Sequence, residues 1–476
     1  MQLTNITRSK GVYLIMEPLS LAKALALSAQ RKHRNPTKII VASFMAVILC
    51  GGILLTLPIS ARDGVSVGFL GALFTATSAT CVTGLVVFDT YTAFSTFGQV
   101  VIILLIQIGG LGLVTLTTFF NVMIGRRLGF KSMQLASESI NISDSSQARQ
   151  LLKVVMTVAL LFELFGAILL CNVFVPEYGM DGIFISVFIS ISAFCNAGFD
   201  LFGQLSPFTS LTTYASNPFV LLVVMTLIAS GGLGFLVWQD LAAFRRTRHL
   251  RLHTRIVLIA TASLIIGGTV GIALLEWNNP ATLGPMTTGD KIWNAMFQSV
   301  SARTAGFNSI DLASMGNVTK LFISLLMFIG AAPGGTGGGI KITTITVLIV
   351  AIVSVIRGQQ EATISGHRIP QKTVYKTLAI FMLSMLVVIV SALTIFFNSG
   401  PEINEMDSVF EAVSAFATVG LSVGVTAIMN PVAQIITMCT MLVGRVGPVS
   451  MAISLSTHKD KNLSRNIVPQ ADISVG

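Results

Sequence analysis

The sequence has little charge and few residues that could hold a metal or form covalent cross-links. Only 11% of its 476 residues are charged, whereas 53% are hydrophobic. A chain this apolar cannot cover its hydrophobic surface in water, so a soluble globular protein is excluded and a membrane protein is expected. Its five cysteines show no CxxC spacing, which argues against a zinc site or a disulfide framework and favours packing roles.

Motifs for catalysis and nucleotide binding are also missing. The five histidines all lie in segments that we expect to face the cytoplasm, and no HExxH or paired-carboxylate motif occurs. These absences disfavour a membrane-embedded enzyme, the strongest alternative from another functional class. A glycine-rich run ends at Lys341, but Ile342 follows where the Walker pattern needs Ser or Thr. We therefore expect no enzymatic activity and no organic cofactor in this chain.

Long apolar runs recur along the chain, each long enough to cross about 30 Å of hydrocarbon as a helix. They include 39–59, 151–175, 256–275 and 378–397. Basic residues cluster between such runs, with 24 of the 30 in segments 1–38, 122–153, 239–256 and 355–376 and in the tail from His458. The positive-inside rule predicts that these segments, including both termini, are cytoplasmic. The alternate loops carry twelve acidic residues against four basic ones, which would enrich cations at the outer surface.

A short pattern occurs four times, and it reads Phe, three residues, Ser-Ala, a short link and Gly. The copies are Phe74–Gly84, Phe188–Gly198, Phe297–Gly306 and Phe410–Gly420, and the third is one residue shorter than the others. Each copy lies on the outer side between two apolar runs, so the repeated unit is helix, re-entrant pore loop, helix. Four units predict an all-α integral membrane protein with eight spanning helices around a central pore in pseudo-fourfold symmetry.

The repeats divide the chain into six parts. We predict a cytoplasmic N-terminal segment, four repeats and a cytoplasmic C-terminal tail. Their bounds are 1–38 for the N-terminal segment, 39–124, 151–244, 256–356 and 376–456 for the repeats, and 457–476 for the tail.

The stretch before each repeat glycine is too short to span the bilayer and suits a half-helix that enters from outside. Asp181 and Asp290 are predicted N-caps for two of these half-helices. A half-helix that points inward places its negative C-terminal end near the membrane centre, where it stabilises a cation. A glycine there permits an extended strand whose carbonyl groups all face one axis. Four such strands would form a ring of oxygens that replaces the hydration shell of potassium.

The predicted ion-binding residues form four short strands, with potassium held at the four repeat glycines. They are Thr80, Cys81, Val82, Thr83 and Gly84 in the first copy, Asn196, Ala197 and Gly198 in the second, Thr304, Ala305 and Gly306 in the third, and Thr418, Val419 and Gly420 in the fourth. The alternative is that these glycines only allow close helix packing. Four copies in register with the topology favour the carbonyl ring.

A glycine cluster follows each pore loop, at 109–112, 231–234, 334–339 and 444–447. The third cluster differs because a proline and five glycines interrupt an apolar stretch, so that it cannot remain a regular helix. A break at this depth is a predicted gate. Its residues are Gly334, Gly335, Thr336, Gly337, Gly338, Gly339, Lys341 and Arg445.

Three charged residues interrupt apolar segments. Arg445 needs a partner inside the bundle, and a structural ion pair, a cap on the free carbonyls of the broken helix and control of the gate all remain open. Lys341 could snorkel or neutralise a carboxylate. Glu163 is expected to make a structural hydrogen bond.

These motifs resemble the superfamily of Trk, Ktr and HKT potassium transporters, whose members look like four fused potassium-channel subunits. The most specific matches are Thr80–Leu85, Ala302–Phe307, Gly334–Lys341 and Gly444–Pro448. The resemblance covers the chain from about Ile39 to Ser456. Because no extra pair of spanning helices precedes Ile39, the chain looks most like the bacterial Ktr membrane subunit.

The resemblance implies potassium uptake across the cytoplasmic membrane, with the four repeat glycines as filter, 334–339 as intramembrane gate and Arg445 holding that gate closed. It also implies a homodimer bound to a cytosolic ring of a separate nucleotide-binding regulatory subunit. Whether sodium is co-transported, activates transport or does neither is left open by the sequence. Plant relatives that admit sodium carry Ser at the first filter glycine, which is Gly84 here.

Only the first copy resembles the Thr-Val-Gly-Tyr-Gly strand of potassium channels, so looser selectivity is expected. The nearest alternative is an alternating-access carrier for another cation or solute. Broken helices suit such a carrier, but its repeats usually number two.

Overall fold

The computed structural model describes residues 36–112, 148–204, 206–359, 361–400 and 403–455, and these are almost entirely helical. Most of the predicted N-terminal segment 1–38, the basic stretch 122–147 and the tail 457–476 lie outside the described residues. The predicted cytoplasmic location of both termini therefore stays a prediction.

The first two repeats are built from eight helices. The first contains α1 (Pro36–Thr56), the pore helix α2 (Phe69–Cys81), the short α3 (Thr90–Ala93) and α4 (Thr96–Leu111), with a 3-10 turn at Pro58–Ser60. The second contains α5 (Ala148–Tyr178), the pore helix α6 (Asp181–Phe194), α7 (Pro218–Gly232) and α8 (Phe235–Thr247), with a 3-10 turn at Thr212–Tyr214. Polar side chains cap the second helices: Ser95 accepts from Gly98 N–H, and Asn217 accepts from Val220 N–H.

The last two repeats follow the same order. The third contains α9 (Leu252–Glu276), the pore helix α10 (Thr288–Ser301), α11 (Asn317–Phe328) and α12 (Ile342–Ile356). A small antiparallel hairpin of β1 (Thr363–Ile364) and β2 (His367–Arg368) connects it to the fourth. The fourth contains α13 (Gln371–Asn398), the pore helix α14 (Glu405–Ala417), a 3-10 turn at Thr426–Ile428, α15 (Pro431–Val446) and α16 (Pro448–Leu455).

The first helix of each repeat is long and apolar enough to cross a membrane, in agreement with the apolar runs of the sequence. These spans are Lys38–Thr56, Lys153–Tyr178, Leu252–Glu276 and Gln371–Asn398. Their outward residues are apolar and exposed, as expected for contact with lipid; Leu164 is 62% exposed and Leu274 is 77% exposed.

The second helix of each repeat is shorter, because glycines interrupt it. Helices α7 and α8 together are long enough for a fifth span, but they are bent by 96° at the break between them. The others in the described residues are separate apolar helices of 8 to 16 residues. The described residues therefore do not form eight uninterrupted spanning helices.

The two predicted N-caps were wrong. Asp181 is the first residue of α6, and the preceding Met180 already has helical backbone angles, so no side chain caps this helix. In α10 the N-cap is Thr287, whose hydroxyl accepts from the Asp290 N–H at 3.2 Å and donates to the Asp290 carboxylate at 2.8 Å. Asp290 is thus the residue whose N–H is capped, and its carboxylate accepts from the hydroxyl of the cap.

Packing relates each repeat to the next. Each long first helix packs on the pore helix that follows it in the chain. Each second helix packs on the pore helix of the next repeat: α4 on α6, α7 on α10, α11 on α14, and finally α15 back on α2. The phenylalanine that opens each copy of the pattern is at most 1% exposed, so it anchors its pore helix in the core.

Candidate ion pathway

The four repeat glycines meet at one place in the molecule. All four have positive φ, at +93° for Gly84, +70° for Gly198, +84° for Gly306 and +93° for Gly420. L-residues with side chains rarely adopt such angles, which explains why glycine occupies each position.

Contacts between these glycines run round a closed cycle. A Cβ added at Gly84 would lie 2.5 Å from the carbonyl oxygen of Ala197, and one at Gly198 would lie 2.7 Å from that of Ala305. The same atom at Gly306 would lie 2.5 Å from the Val419 oxygen, and at Gly420 it would collide with the Thr83 oxygen. Each glycine thus faces the carbonyl that precedes the glycine of the next repeat, and no side chain fits between them.

A second left-handed residue lies two positions before each glycine. Its φ is +58° at Val82, +60° at Asn196, +72° at Thr304 and +51° at Thr418. This conformation costs about 1–2 kcal/mol for a residue with a side chain, and such strain concentrates at functional sites. Sequence reasoning missed it, because of these four residue types only asparagine, at Asn196, favours the left-handed region, whereas valine and threonine do not. The recurrence at one position in four copies was the available signal.

The serine of the repeated Ser-Ala pair ties each strand to its own pore helix. In copies one, two and four, the serine carbonyl accepts from the N–H of the residue before the glycine, at 2.8 Å from Thr83 to Ser78, 2.7 Å from Ala197 to Ser192 and 2.9 Å from Val419 to Ser414. In the shorter third copy Ala305 N–H donates to Ser301 at 2.9 Å. The pattern contained these serines, but no role was predicted for them.

The serine hydroxyls make a second set of hydrogen bonds to the strands. Ser78 and Ser414 each accept from the N–H of their repeat glycine at 3.1 Å, and Ser192 donates to the Phe199 carbonyl at 2.7 Å. Ser301 likewise donates to the Phe307 carbonyl. All four serines are completely buried, so these bonds are shielded from competing water.

Glu411 adds a further restraint in the fourth repeat. Its buried carboxylate accepts from the hydroxyl groups of Ser422 and Thr426 and from the Val423 N–H at 3.3 Å. The pore helix α14, which carries Glu411, is therefore hydrogen-bonded to the segment that directly follows Gly420. Sequence reasoning counted Glu411 only among the acids of the outer loops.

The other predicted ion-binding residues occupy two kinds of position. Thr80 and Cys81 lie in the last turn of α2, before the strand begins, and the Cys81 side chain packs in an apolar cluster with Phe74 and Leu85. The hydroxyls of Thr80 and Thr83 are buried, and neither has a hydrogen-bond partner among the described residues. The strands proper are thus Val82–Gly84 and its three counterparts.

All four pore helices end beside these strands. The last helical residues are Cys81, Phe194, Ser301 and Ala417, one to three positions before the left-handed residue. Their C-terminal ends carry partial negative charge from free carbonyl groups. The site therefore favours a cation without a charged side chain in its strands.

The glycine clusters of the second helices have two separate roles. The first glycine allows close approach to a pore-helix carbonyl: a Cβ would collide with Thr80 O at Gly109, with Phe194 O at Gly231 and with Phe416 O at Gly444. The last glycine, at 112, 234 and 447, has a φ of +83° to +95° at the point where the helix breaks. Close packing, the alternative interpretation of the repeat glycines, is thus what the contacts of these clusters support.

The third cluster forms a loop between α11 and α12, as the sequence predicted for a stretch that cannot stay helical. The loop lies against the ends of the strands where the pore helices stop. Gly338 N–H donates to the Thr418 hydroxyl at 3.0 Å, and a Cβ at Gly337 would collide with the Thr304 hydroxyl. Thr336 N–H donates to the Gly231 carbonyl at 3.1 Å. The loop therefore contacts three of the four repeats.

Arg445 reaches from α15 to that loop. Its guanidinium donates to the carbonyl of Thr336 in the loop and to those of Gly109 and Gly110 at the end of α4. It makes no ion pair with any residue that the structure describes. Of the two structural roles predicted for Arg445, an ion pair and a cap on free carbonyls, the second is therefore the one observed. Lys341 donates to the Gly337 carbonyl at 2.7 Å, and not to a carboxylate.

Comparison with known proteins identifies the family to which this chain belongs. A sequence profile described as TrkH, cation transport protein, matches residues 2–465. This chain belongs to the TrkH family. It is therefore a multi-pass membrane transporter, and the family is one of transporters rather than enzymes.

Several relatives of this TrkH-family chain carry names from the Ktr system, as the sequence motifs predicted. The chain is 38% identical over 432 residues to the Ktr system potassium uptake protein B of Bacillus subtilis, covering 90% of this chain and 95% of the relative. It is 40% identical over 422 residues to the protein of that name from Vibrio alginolyticus, covering 88% and 91%. It is 36% identical over 450 residues to the potassium/sodium uptake protein NtpJ of Enterococcus hirae, covering 94% and 98%.

A solved structure supports the fold of this TrkH-family chain. The potassium transporter TrkH from Vibrio parahaemolyticus superposes with a TM-score of 0.67 over 90% of this chain and 86% of that one, at 18% identity. At this identity the likeness concerns the fold alone, and it agrees with an all-α membrane transporter.

Proposed function

We propose that this chain takes up potassium through one pore whose selectivity filter is the cycle of Gly84, Gly198, Gly306 and Gly420. The observation that carries the proposal is this cycle, in which every repeat supplies one glycine and one carbonyl to the same ring. Backbone oxygens arranged in this way can replace the water around a potassium ion. The four converging pore-helix ends add attraction for any monovalent cation.

The proposed architecture has eight membrane crossings in pseudo-fourfold arrangement, with each broken second helix counted as one crossing. Supporting it are the cyclic packing of second helices on the next pore helices and the glycine break that recurs in three of them. The chain lies in the cytoplasmic membrane with both termini inside. The clustering of basic residues between alternate spans supports this orientation.

The loop 334–339 is the proposed gate, since it lies against the filter ends and is held there by Arg445. The proposed regulator is a cytosolic nucleotide-binding subunit, and the proposed membrane subunit is a homodimer. The word system in the names of the Ktr relatives supports a further subunit. Sodium is either co-transported or activating; the Enterococcus relative, named a potassium/sodium uptake protein, supports its involvement.

Uptake in cells that lack their own potassium transporters tests the proposal. Cells expressing the chain, with and without a candidate cytosolic subunit, are expected to grow at low external potassium and to accumulate rubidium as a tracer. Accumulation of another solute without potassium or rubidium would favour an alternating-access carrier. The Gly306→Ser variant is the control, because it damages the ring at a single place.

A further inference from the structure

Glu163 is a carboxylic acid in the middle of a membrane span that the pathway described above does not use. It lies on α5 and is 7% exposed, whereas its neighbours Leu161 and Leu164 face outward with more than 60% exposure. An ionisable group at this depth is costly and is usually retained for function. Among the described residues it forms no ion pair, so no basic group offsets its burial.

The partner of Glu163 is an amide on another repeat. Gln107 Nε2, on α4, donates to both carboxylate oxygens at 3.1 Å. The other end of the same amide accepts from the Cys195 thiol, with Sγ 3.4 Å from Oε1, and this sulfur also lies 3.9 Å from Glu163 Oε1. Glu163, Gln107 and Cys195 thus form a closed triangle between α5, α4 and the end of α6.

Two corners of this triangle adjoin the two parts of the proposed pathway. Cys195 is the C-cap of the pore helix α6 and directly precedes the strand Asn196–Gly198. Gln107 lies two residues before Gly109, whose carbonyl accepts from Arg445. The backbone at Gly110 rests on the cysteine itself, since a Cβ there would lie 2.7 Å from Cys195 Sγ.

We infer that Glu163 is a positioning residue that couples filter and gate. By holding Gln107 it fixes the last turn of α4, which presents the carbonyl acceptors for Arg445. Through Gln107 and Cys195 it also fixes the start of the second filter strand. This inference rests on the proposed function, and it assigns Glu163 a hydrogen-bonding role instead of an ion-binding one.

Substitutions at both ends of the pair test this role. Glu163→Ala and Gln107→Ala are each expected to raise the KM for potassium by up to about tenfold, the change expected for loss of one buried hydrogen bond. Both should also raise the ratio of sodium to potassium uptake. Glu163→Gln keeps an acceptor for Gln107, and Glu163→Gln with Gln107→Glu keeps the contacts with roles exchanged. These two variants are expected to stay within about threefold of wild type.

Asn172→Ala is the matched control, because Asn172 is on the same helix and, within the described part of the chain, its amide bonds only to carbonyls one turn earlier. It should leave KM and the uptake ratio unchanged. If Glu163→Gln is as defective as Glu163→Ala, then negative charge is what matters and the positioning role is overturned. Unchanged KM and ratio in well-expressed Glu163→Ala would overturn it as well.

A readout that does not need transport separates this inference from the proposed function. In a chain whose other four cysteines are alanine, Cys195 is buried and should react slowly with a membrane-permeable maleimide. Glu163→Ala in that background is expected to speed labelling at least tenfold, and Asn172→Ala is expected to leave it unchanged. Equal labelling rates would overturn the triangle even if potassium transport is found. Faster labelling in a protein that moves no potassium would uphold the triangle and reject the function.

Discussion

Replacing Arg445 with alanine is expected to open the proposed gate partly. The guanidinium joins three elements, since it is carried by α15 and bonds to carbonyls of the loop and of α4. Alanine removes the link to Thr336 and the positive charge that repels an approaching cation. The loop would then be retained by its other contacts, such as the bond from Gly338 N–H to Thr418 in the fourth filter strand and the bond from Thr336 N–H to the Gly231 carbonyl of α7.

The expected rise in flux can be worked out from the bond between Arg445 and the Thr336 carbonyl. A hydrogen bond to a charged group contributes about 1.5–3 kcal/mol net, and the bond to Thr336 is the one from Arg445 that reaches the loop. Its loss shifts the balance between closed and open loop by about 10- to 150-fold. Resting flux should rise by a similar factor, until opening of the loop no longer limits it.

Rubidium flux into liposomes containing the purified protein provides the assay, with thermal unfolding as the check on folding. Arg445→Lys is the matched control, because it keeps the charge but lacks the fork that spans two carbonyls. It should give an intermediate flux. Removal of part of 334–339 together with Arg445→Ala should give less than the sum of the separate effects, since both act through one contact. Strictly additive effects, or no rise in flux from a folded protein, would refute the role of Arg445 in holding the loop closed.

Three further predictions concern the filter, the loop and Asp200, which lies two residues beyond Gly198. Gly84→Ser and Gly306→Ser should both lower the preference for potassium over sodium, because a Cβ would lie 2.5 Å from a ring oxygen in each; uptake kinetics with unchanged selectivity would contradict the ring. Deletion within 334–339 alone should raise flux, whereas flux at or below wild type in folded protein would indicate a structural loop. Burial, with a smaller contribution from Asp89, raises the pKa of Asp200 to about 7. The folded state therefore binds this proton more tightly than the unfolded state, whose carboxyl has a pKa of about 3.9. Stability should fall as pH rises from about 4 through 7, and Asp200→Asn should flatten that part of the thermal unfolding profile. An unchanged profile in Asp200→Asn would show that other groups cause the slope.

The sequence predicted the repeats because their chemistry is local. A pattern that opens with a buried phenylalanine and ends in a glycine requires a short helix and then a special backbone angle, and both are present in all four copies. The loop at 334–339 was predictable for the same reason, since one proline and five glycines cannot continue a helix. The broken second helices were harder, because Gly112 and its counterparts lie in runs as apolar as an intact span.

Contacts between repeats could not be predicted from the sequence. Nothing near Glu163 indicates Gln107, which is 56 residues away and on another helix. The role of Ser78 depends on where the chain returns after the helix ends, and Cys81 was assigned to the strand because a one-turn difference in the helix end is not readable from composition. The N-cap predicted at Asp290 lies three residues from the observed N-cap, Thr287, because helix boundaries are the least reliable part of a prediction from sequence.

The glycine breaks at 112, 234 and 447 share one backbone conformation where the second helices stop beside the pore-helix ends. In the remaining repeat the loop interrupts the helix. Among the described residues, α8 and α16 each continue from a second helix through one such glycine, whereas the filter strands are tied to their own pore helices by buried serine bonds. A rotation at Gly234 or Gly447 would therefore move α8 or α16 without breaking the serine bonds that hold the strands of the oxygen ring.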